Sequence, residues 1–249
     1  MNQFVKKAVR FLPIMALTAM SVSFQSCLDD DDNDNSALYR PTAVVTVCPA
    51  ADGKFSMVLD DETSLVATNM TSSPFGDKEV RALVNYTEDS SYNGGKGVHI
   101  NWIDSIRTKE PIIIHVDEDG LTYGSDPIEI VRDWVTVAED GYLTLRIRTL
   151  WDGSGKPHYI NLLSGMDPYN PYELELRHDA QGDINGQYGD ALIAFNLNNL
   201  PHSDRGPVKK IKLYWNSFSG KKSLEFDLTM RNGTHGDAPK NLVAASLLK

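Results

Sequence analysis

The chain has 249 residues, 34 acidic against 24 basic side chains, a net charge of −10 and two cysteines. That charge excludes a nucleic-acid-binding surface and a polybasic grip on anionic lipid, because both need clustered cations. Two cysteines exclude a disulfide-built scaffold, and the length suits one or two domains with cores of their own.

Lys6, Lys7 and Arg10 precede an uncharged run from Phe11 to Phe24. Ser26 and Cys27 follow, then Leu28 and the acidic stretch Asp29, Asp30, Asp31, Asp32, Asn33, Asp34. The run is too short to span a bilayer, which takes about 20 apolar residues. A basic segment, a short apolar segment and a small residue before a cysteine make residues 1–26 a lipoprotein signal peptide. Phe24 and Gln25 depart from the Leu and small residue usual there. Cys27 is then the acylated first residue, and stable membrane attachment takes two or more acyl chains at about 0.8 kcal/mol per buried CH₂. Losing the three basic residues of the signal takes the net charge from −10 to −13 over the remaining 223 residues. The aspartates after Cys27 repel one another and stay solvated, so residues 27–36 form an acidic tether. An EF-hand reading of this stretch lacks the central Gly and the closing Glu.

From Ala37 onward the apolar pattern has period two, which places strands rather than helices. Turn pairs recur at Asp52-Gly53, Asn93-Gly94, Asp119-Gly120, Asp140-Gly141, Asp152-Gly153, Asn185-Gly186 and Asn232-Gly233, and such pairs supply the positive φ angles of tight hairpins. The first block, 37–110, holds five predicted strands at Thr42–Cys48, Lys54–Asp60, Ser64–Asn69, Glu79–Glu88 and Gly97–Lys109. Val80, Ala82, Val84 and Tyr86 share one face, as do Val98, Ile100 and Trp102. Five short strands in so few residues suit an OB-like barrel. Cys48 closes the first strand and reads as a small half-buried hydrophobe, not a reactive thiol.

The second block, 111–249, has longer strands. Leu143, Leu145 and Ile147 alternate with Thr144, Arg146 and Arg148. Tyr172, Leu174 and Leu176 do the same with Glu173, Glu175 and Arg177, as do Ile211, Leu213 and Trp215, and Leu224, Phe226 and Leu228, with their neighbours. One buried and one wet face predict an antiparallel β-sandwich of seven or eight strands. Leu242–Leu248 is the only helix-like piece. The fold class is all-β, an OB-like barrel followed by a sandwich.

Chemistry-bearing motifs are sparse. His99, His115, His158, His178, His202 and His235 show no metal-ligand spacing, and no nucleophile elbow or dinucleotide fingerprint is present. Gly94-Gly95-Lys96-Gly97 precedes a strand, so it reads as a hairpin loop and not a phosphate cradle. Glu173 and Glu175 share a strand face that reads as solvated and not as a glycosidase pair. The loop after Arg177 reads as a polar hairpin, since no bidentate Glu closes a cation site; the alternative is that Asp183, Asn185 and Asp190 offer oxygen ligands for Ca²⁺, with Gly186 at a bend. No other cofactor is expected. Trp151, Tyr159, Tyr169 and Tyr172 form a candidate aromatic patch for a sugar or a protein. Trp102 and Trp215 are placed in the core, and Trp134 is a further core candidate. The OB-like barrel does not imply nucleic acid here, because basic and aromatic residues are not interleaved.

Three segments carry a family resemblance. The head Cys27-Leu28-Asp29-Asp30-Asp31-Asp32, the strand Val98 to Lys109 and the segment Asp126 to Thr136 resemble the NigD-like lipoproteins. The resemblance implies an N-terminal OB domain, a C-terminal β-sandwich and an association with bacteriocin gene clusters, with no assigned residue chemistry. The acidic cluster Asp29 to Asp32 resembles the signal that sends Bacteroidetes lipoproteins to the outer face of the outer membrane. Asp104-Ser105-Ile106 resembles the O-glycosylation acceptor of exported proteins of that group, with Ser105 the modified residue. The expectation is a non-enzymatic lipoprotein held at the outer membrane by its lipid and binding an extracellular protein, peptide or glycan. The alternatives are a glycan-hydrolysing accessory enzyme and a structural subunit of an envelope assembly.

Overall fold

The computed structural model describes residues 40–60, 62–115, 120–200 and 208–231. The signal peptide, the acidic tether and the helix-like Leu242–Leu248 lie outside them. The first five strands are β1 (Ala43–Pro49), β2 (Phe55–Val58), β3 (Ser64–Ala67), β4 (Val80–Glu88) and β5 (Lys96–Ser105). They close into a barrel in the order β1-β2-β3-β5-β4. Its interior is filled by alternate side chains, among them Val45, Val47, Met57, Leu65, Ala82, Val84, Val98 and Ile100.

β5 changes phase halfway along. Tyr86 pairs with Ile100 but Asn85 pairs with Trp102, so Asn101 is an extra residue in β5. A one-residue bulge swaps the faces of everything beyond it. Ile103 therefore turns onto the barrel core, while Trp102, expected inside, is half-buried outside that cluster. Asn101 donates to the Asn85 Oδ1 at 2.6 Å and so fixes the bulge.

The expected fifth strand ran to Lys109. In the structure β5 ends at Ser105, and Ile106 turns into a small core with Val44, Val135 and Ala194 between barrel and sandwich. Thr108–Lys109 (β6) pairs in parallel with Ala194 and Phe195 and so belongs to the sandwich. The remaining strands are β7 (Ile112–Ile113), β8 (Glu129–Val131), β9 (Val137–Glu139), β10 (Tyr142–Trp151), β11 (Tyr159–Ser164), β12 (Glu173–Asp179), β13 (Gln187–Asn196), β14 (Val208–Ser217) and β15 (Gly220–Thr229), with one 3-10 turn at Gly120–Tyr123. One sheet runs β6-β13-β10-β8, with β9 also on β10, and the other runs β15-β14-β12-β11-β7. The sandwich has ten strands among the described residues, not seven or eight, because short β6 to β9 carry little periodicity. Three of its pairings are parallel: β6 with β13, β7 with β11 and β12 with β14. Between the sheets lie Leu143, Leu145, Ile147, Leu174, Leu176, Phe195, Ile211, Leu213 and Trp215, as the alternation predicts.

The barrel docks on the end of the sandwich where β10 begins. Arg81 faces outward from β4, yet its side chain is fully buried. It pairs with Glu139 and donates to Thr46 Oγ1 at 3.0 Å and Thr144 Oγ1 at 3.2 Å. Arg231 bridges Asp140 at 2.7 Å and Glu79 at 2.6 Å, and the Tyr142 hydroxyl donates to Glu79 at 2.5 Å. Burial pushes the Cys48 thiol, beside Glu79, up to about 12, which disfavours the nucleophilic thiolate.

Candidate functional site

The strand directions gather one set of loops at the sandwich end away from the barrel. β10 and β12 finish there, β11 and β13 start there, and the turn from β14 to β15 joins them. Five of the nine exposed large apolar side chains among the described residues stand on this end: Trp151, Tyr159, Ile184, Tyr188 and Phe218. Tyr188 is 61% exposed and meets Phe218 edge-on, with ring centroids 5.4 Å apart. Clustered exposed aromatics mark recognition surfaces, whereas scattered ones do not.

Trp151 packs closely against two glycines. A Cβ on Gly189 would come within 2.5 Å of the indole, and one on Gly186 within 2.1 Å of the Trp151 carbonyl. Beneath the indole sits His158, stacked on it at 3.9 Å between ring centroids. His158 Nδ1 is 2.9 Å from His178 Nε2, and His178 Nδ1 is 3.0 Å from the Pro127 carbonyl oxygen. His158 Nε2 is 3.3 Å from Asp183 Oδ2, and both side chains are sealed from solvent.

The protons in this row follow from its ends. A carbonyl oxygen only accepts, so His178 Nδ1 carries a hydrogen. Burial holds His178 below the usual imidazole range, so it is neutral and its Nε2 accepts from His158 Nδ1. His158 Nε2 makes no hydrogen bond of its own among the described residues and lies beside the Asp183 carboxylate. Asp183 Oδ1 also accepts the Asp152 backbone N–H at 2.8 Å, and Oδ2 accepts from Ser154 Oγ at 3.4 Å. One buried carboxylate thus ties the loop after β10 to the loop after β12, directly under the exposed aromatics.

The expected aromatic patch is split. Trp151 and Tyr159 belong to this end, but Tyr169 and Tyr172 lie on the loop from β11 to β12 at the opposite end. Tyr172 is 4% exposed and packs in the core, while Tyr169 is 95% exposed. β11 separates the two pairs, so residues near in sequence stand a strand length apart. The alternative Ca²⁺ loop is not assembled either. Asp183 serves the buried histidine row, Asn185 is exposed, and Asp190 sits on β13 between Arg146 and Arg148 at 2.6 Å from each. Those arginines hold the Asp190 carboxyl down to about 2. Ser105 is exposed at the end of β5. Cys27 and Asp29 to Asp32 lie outside the described residues.

Sequence reasoning missed Ile184, Tyr188 and Phe218, whose turn positions carry no periodic signal, and the pairing of His158 with His178 across two strands. It also misplaced Trp134, which is 53% exposed while its neighbour Val135 is buried.

Residues 44–106 match the NigD-like N-terminal OB domain, and residues 111–228 match the NigD-like C-terminal beta sandwich domain. A toxin-related protein of Parabacteroides distasonis is 31% identical, with a TM-score of 0.60 over 75% of this chain and 92% of that one. A protein of unknown function from Bacteroides vulgatus is 22% identical, with a TM-score of 0.59 over 74% and 89%. A NigD-like immunity protein of Bacteroides caccae is 21% identical, with a TM-score of 0.53 over 75% and 96%. The last two likenesses concern the fold alone. No curated protein matches the chain. With both domain models matched in order along one chain and built as a closed barrel and a two-sheet sandwich, this protein belongs to the NigD-like family.

Proposed function

We propose that this chain is a non-enzymatic binding protein, acylated at Cys27 and held at the outer membrane facing the cell exterior, which receives a protein or peptide partner on the distal rim. The observation that carries the reading is the gathering of Trp151, Tyr159, Ile184, Tyr188 and Phe218 at one end of the sandwich. Aromatic side chains grouped in this way bring large contact area at low entropy cost, and such residues dominate binding energy at protein interfaces. The signal-like head supplies the location, and the toxin-related relative supports a protein or peptide as the partner.

A hydrolytic reading has little to stand on. Glu175 is paired with Arg177 at 3.0 Å, and the histidine row is closed to solvent. Glycoside hydrolysis needs two carboxyl groups facing one open cleft.

The location is tested by adding protease to intact cells. The protein should be degraded, Cys27→Ser should release it from the membrane, and replacing Asp29 to Asp32 with Ala should protect it. The binding face is tested by a Tyr188→Ser, Phe218→Ser double variant, which should lose the partner while keeping its melting temperature. Retention of full binding by that variant would remove the rim from the account.

A further inference from the structure

A cleft of about 430 Å³ opens where the barrel meets the sandwich, within the roughly 300–1,000 Å³ of small-ligand sites, which favour such domain junctions. Its apolar lining includes Pro41 and Leu83 on the barrel side and Leu192 on the sandwich side; Arg40, Trp134 and Arg146 supply its distinctive chemistry.

Trp134 is held out on purpose-built backbone. The Asp133 carboxylate accepts the Val135 N–H at 3.1 Å, the Asp133 carbonyl accepts the Thr136 N–H at 3.2 Å, and Val135 is sunk in the small core between the domains. The turn is thereby pinned on both sides of an indole that is more than half exposed. Beside it stands a grid of paired charges. Arg146 donates through Nη1 to Asp133 at 2.7 Å, and through Nε and Nη2 to Asp190 at 2.9 and 2.6 Å. Arg148 donates twice more to Asp190.

A guanidinium has five N–H donors in a fixed fork. Arg146 spends three on these carboxylates, which leaves one N–H on Nη1 and one on Nη2. The Arg40 side chain makes no ion pair among the described residues. Three arginines thus face two aspartates, and the surplus is cationic in a protein whose net charge is −10. A guanidinium takes a carboxylate through two parallel hydrogen bonds. The Asp133 and Asp190 oxygens accept from hydroxyls, and the exposed indole offers a flat apolar face.

We propose that the junction cleft binds a carboxylated sugar ring, a uronic acid unit of an acidic saccharide, with its ring on Trp134 and its carboxylate on Arg40 and the remaining N–H groups of Arg146. A neutral sugar leaves the surplus cations unmet. An acidic peptide chain satisfies them but brings no ring to the indole.

The test is calorimetric titration of the full chain, in detergent, with trigalacturonate, maltotriose and triglutamate. Trigalacturonate should bind at least about tenfold more tightly than either of the others, a difference of about 1.4 kcal/mol. Its binding should weaken as salt rises from about 50 to about 500 mM. Trp134→Ala should weaken it about tenfold, Trp134→Tyr less, and Arg40→Gln several-fold, while the rim variant Tyr159→Ser, on the other sheet, should leave it unchanged. Trp134 and Arg40 are exposed, so these variants keep the fold, which a melting curve checks. Equal binding of all three probes, preference for maltotriose or triglutamate, no heat with trigalacturonate at about 10 mM, or full binding by Trp134→Ala would each overturn the proposal.

Discussion

The two ends of the sandwich bury ionisable groups for different purposes. At the barrel end, Arg81, Glu139, Glu79, Asp140 and Arg231 reach across from one domain to the other. Their positions make the barrel and sandwich one body, since either domain alone would leave buried charges without partners. At the distal end, His178, His158 and Asp183 all belong to the sandwich, and what they join is loop to loop. The first arrangement fixes the relative placement of two cores. The second fixes the floor under a set of exposed aromatic side chains. Buried polar groups thus serve rigidity at one end and presentation at the other.

The largest effect should come from breaking the barrel end. Arg81→Ala leaves Glu139 facing a buried gap, and losing one partner of a buried pair costs about 3–5 kcal/mol. Denaturant unfolding should show that loss, and a change below about 1 kcal/mol would mean the junction is wetter than the side-chain burial implies. Next comes the distal carboxylate. Asp183→Ala strips the acceptor from the Asp152 N–H and the Ser154 hydroxyl, at about 1–3 kcal/mol. Unlike Arg81→Ala, it should also change the fluorescence of Trp151 and its quenching by acrylamide. An unchanged Trp151 would separate the histidine row from the rim.

Smaller again is the pH response. Burial holds His178 below the ordinary imidazole range, with His158 and Asp126 the ionisable groups nearest it. The folded protein keeps it neutral, while the unfolded chain takes up a proton as pH falls through about 6.5. The unfolded state then binds more protons, so stability should decline from about pH 6.5 downward, and His178→Gln should flatten that slope. A stability that rises on acidification over this range would contradict the proton arrangement. The smallest effect expected is that of calcium. Asp190 is held between two arginines and Asp183 by the histidine row, so millimolar Ca²⁺ should leave the melting temperature unchanged. A rise of several degrees would show that these carboxylates exchange their partners for a cation.

Much of this molecule is legible from alternation. Leu143, Leu145 and Ile147, or Ile211, Leu213 and Trp215, face inward because a strand with one dry face has no other register. Alternation carries no information where the register slips, and so Trp102 looked like core until Asn101 proved to be an extra residue in β5. Arg81 sits on the outer barrel face, which reads as solvent until a second domain covers it. The aromatic patch failed for a geometric reason: a short stretch of chain along a hairpin leads to the opposite end of a strand as readily as back to the same one. Trp134 occupies a turn, where neither period applies and only the burial of Val135 decides which way the indole faces. Long-range pairings such as His158 with His178 depend on sheet register, which single-strand patterns do not contain.

Two exposed tyrosines at opposite ends allow the central claim to be tested in place. A photo-crosslinking amino acid is installed at Tyr188 on the distal rim or at Tyr169 at the barrel end, in intact cells, and the adducts are sized after irradiation. The account expects a discrete adduct from position 188 and none from position 169. Adducts from position 169 alone, or the same adduct from both, would contradict it.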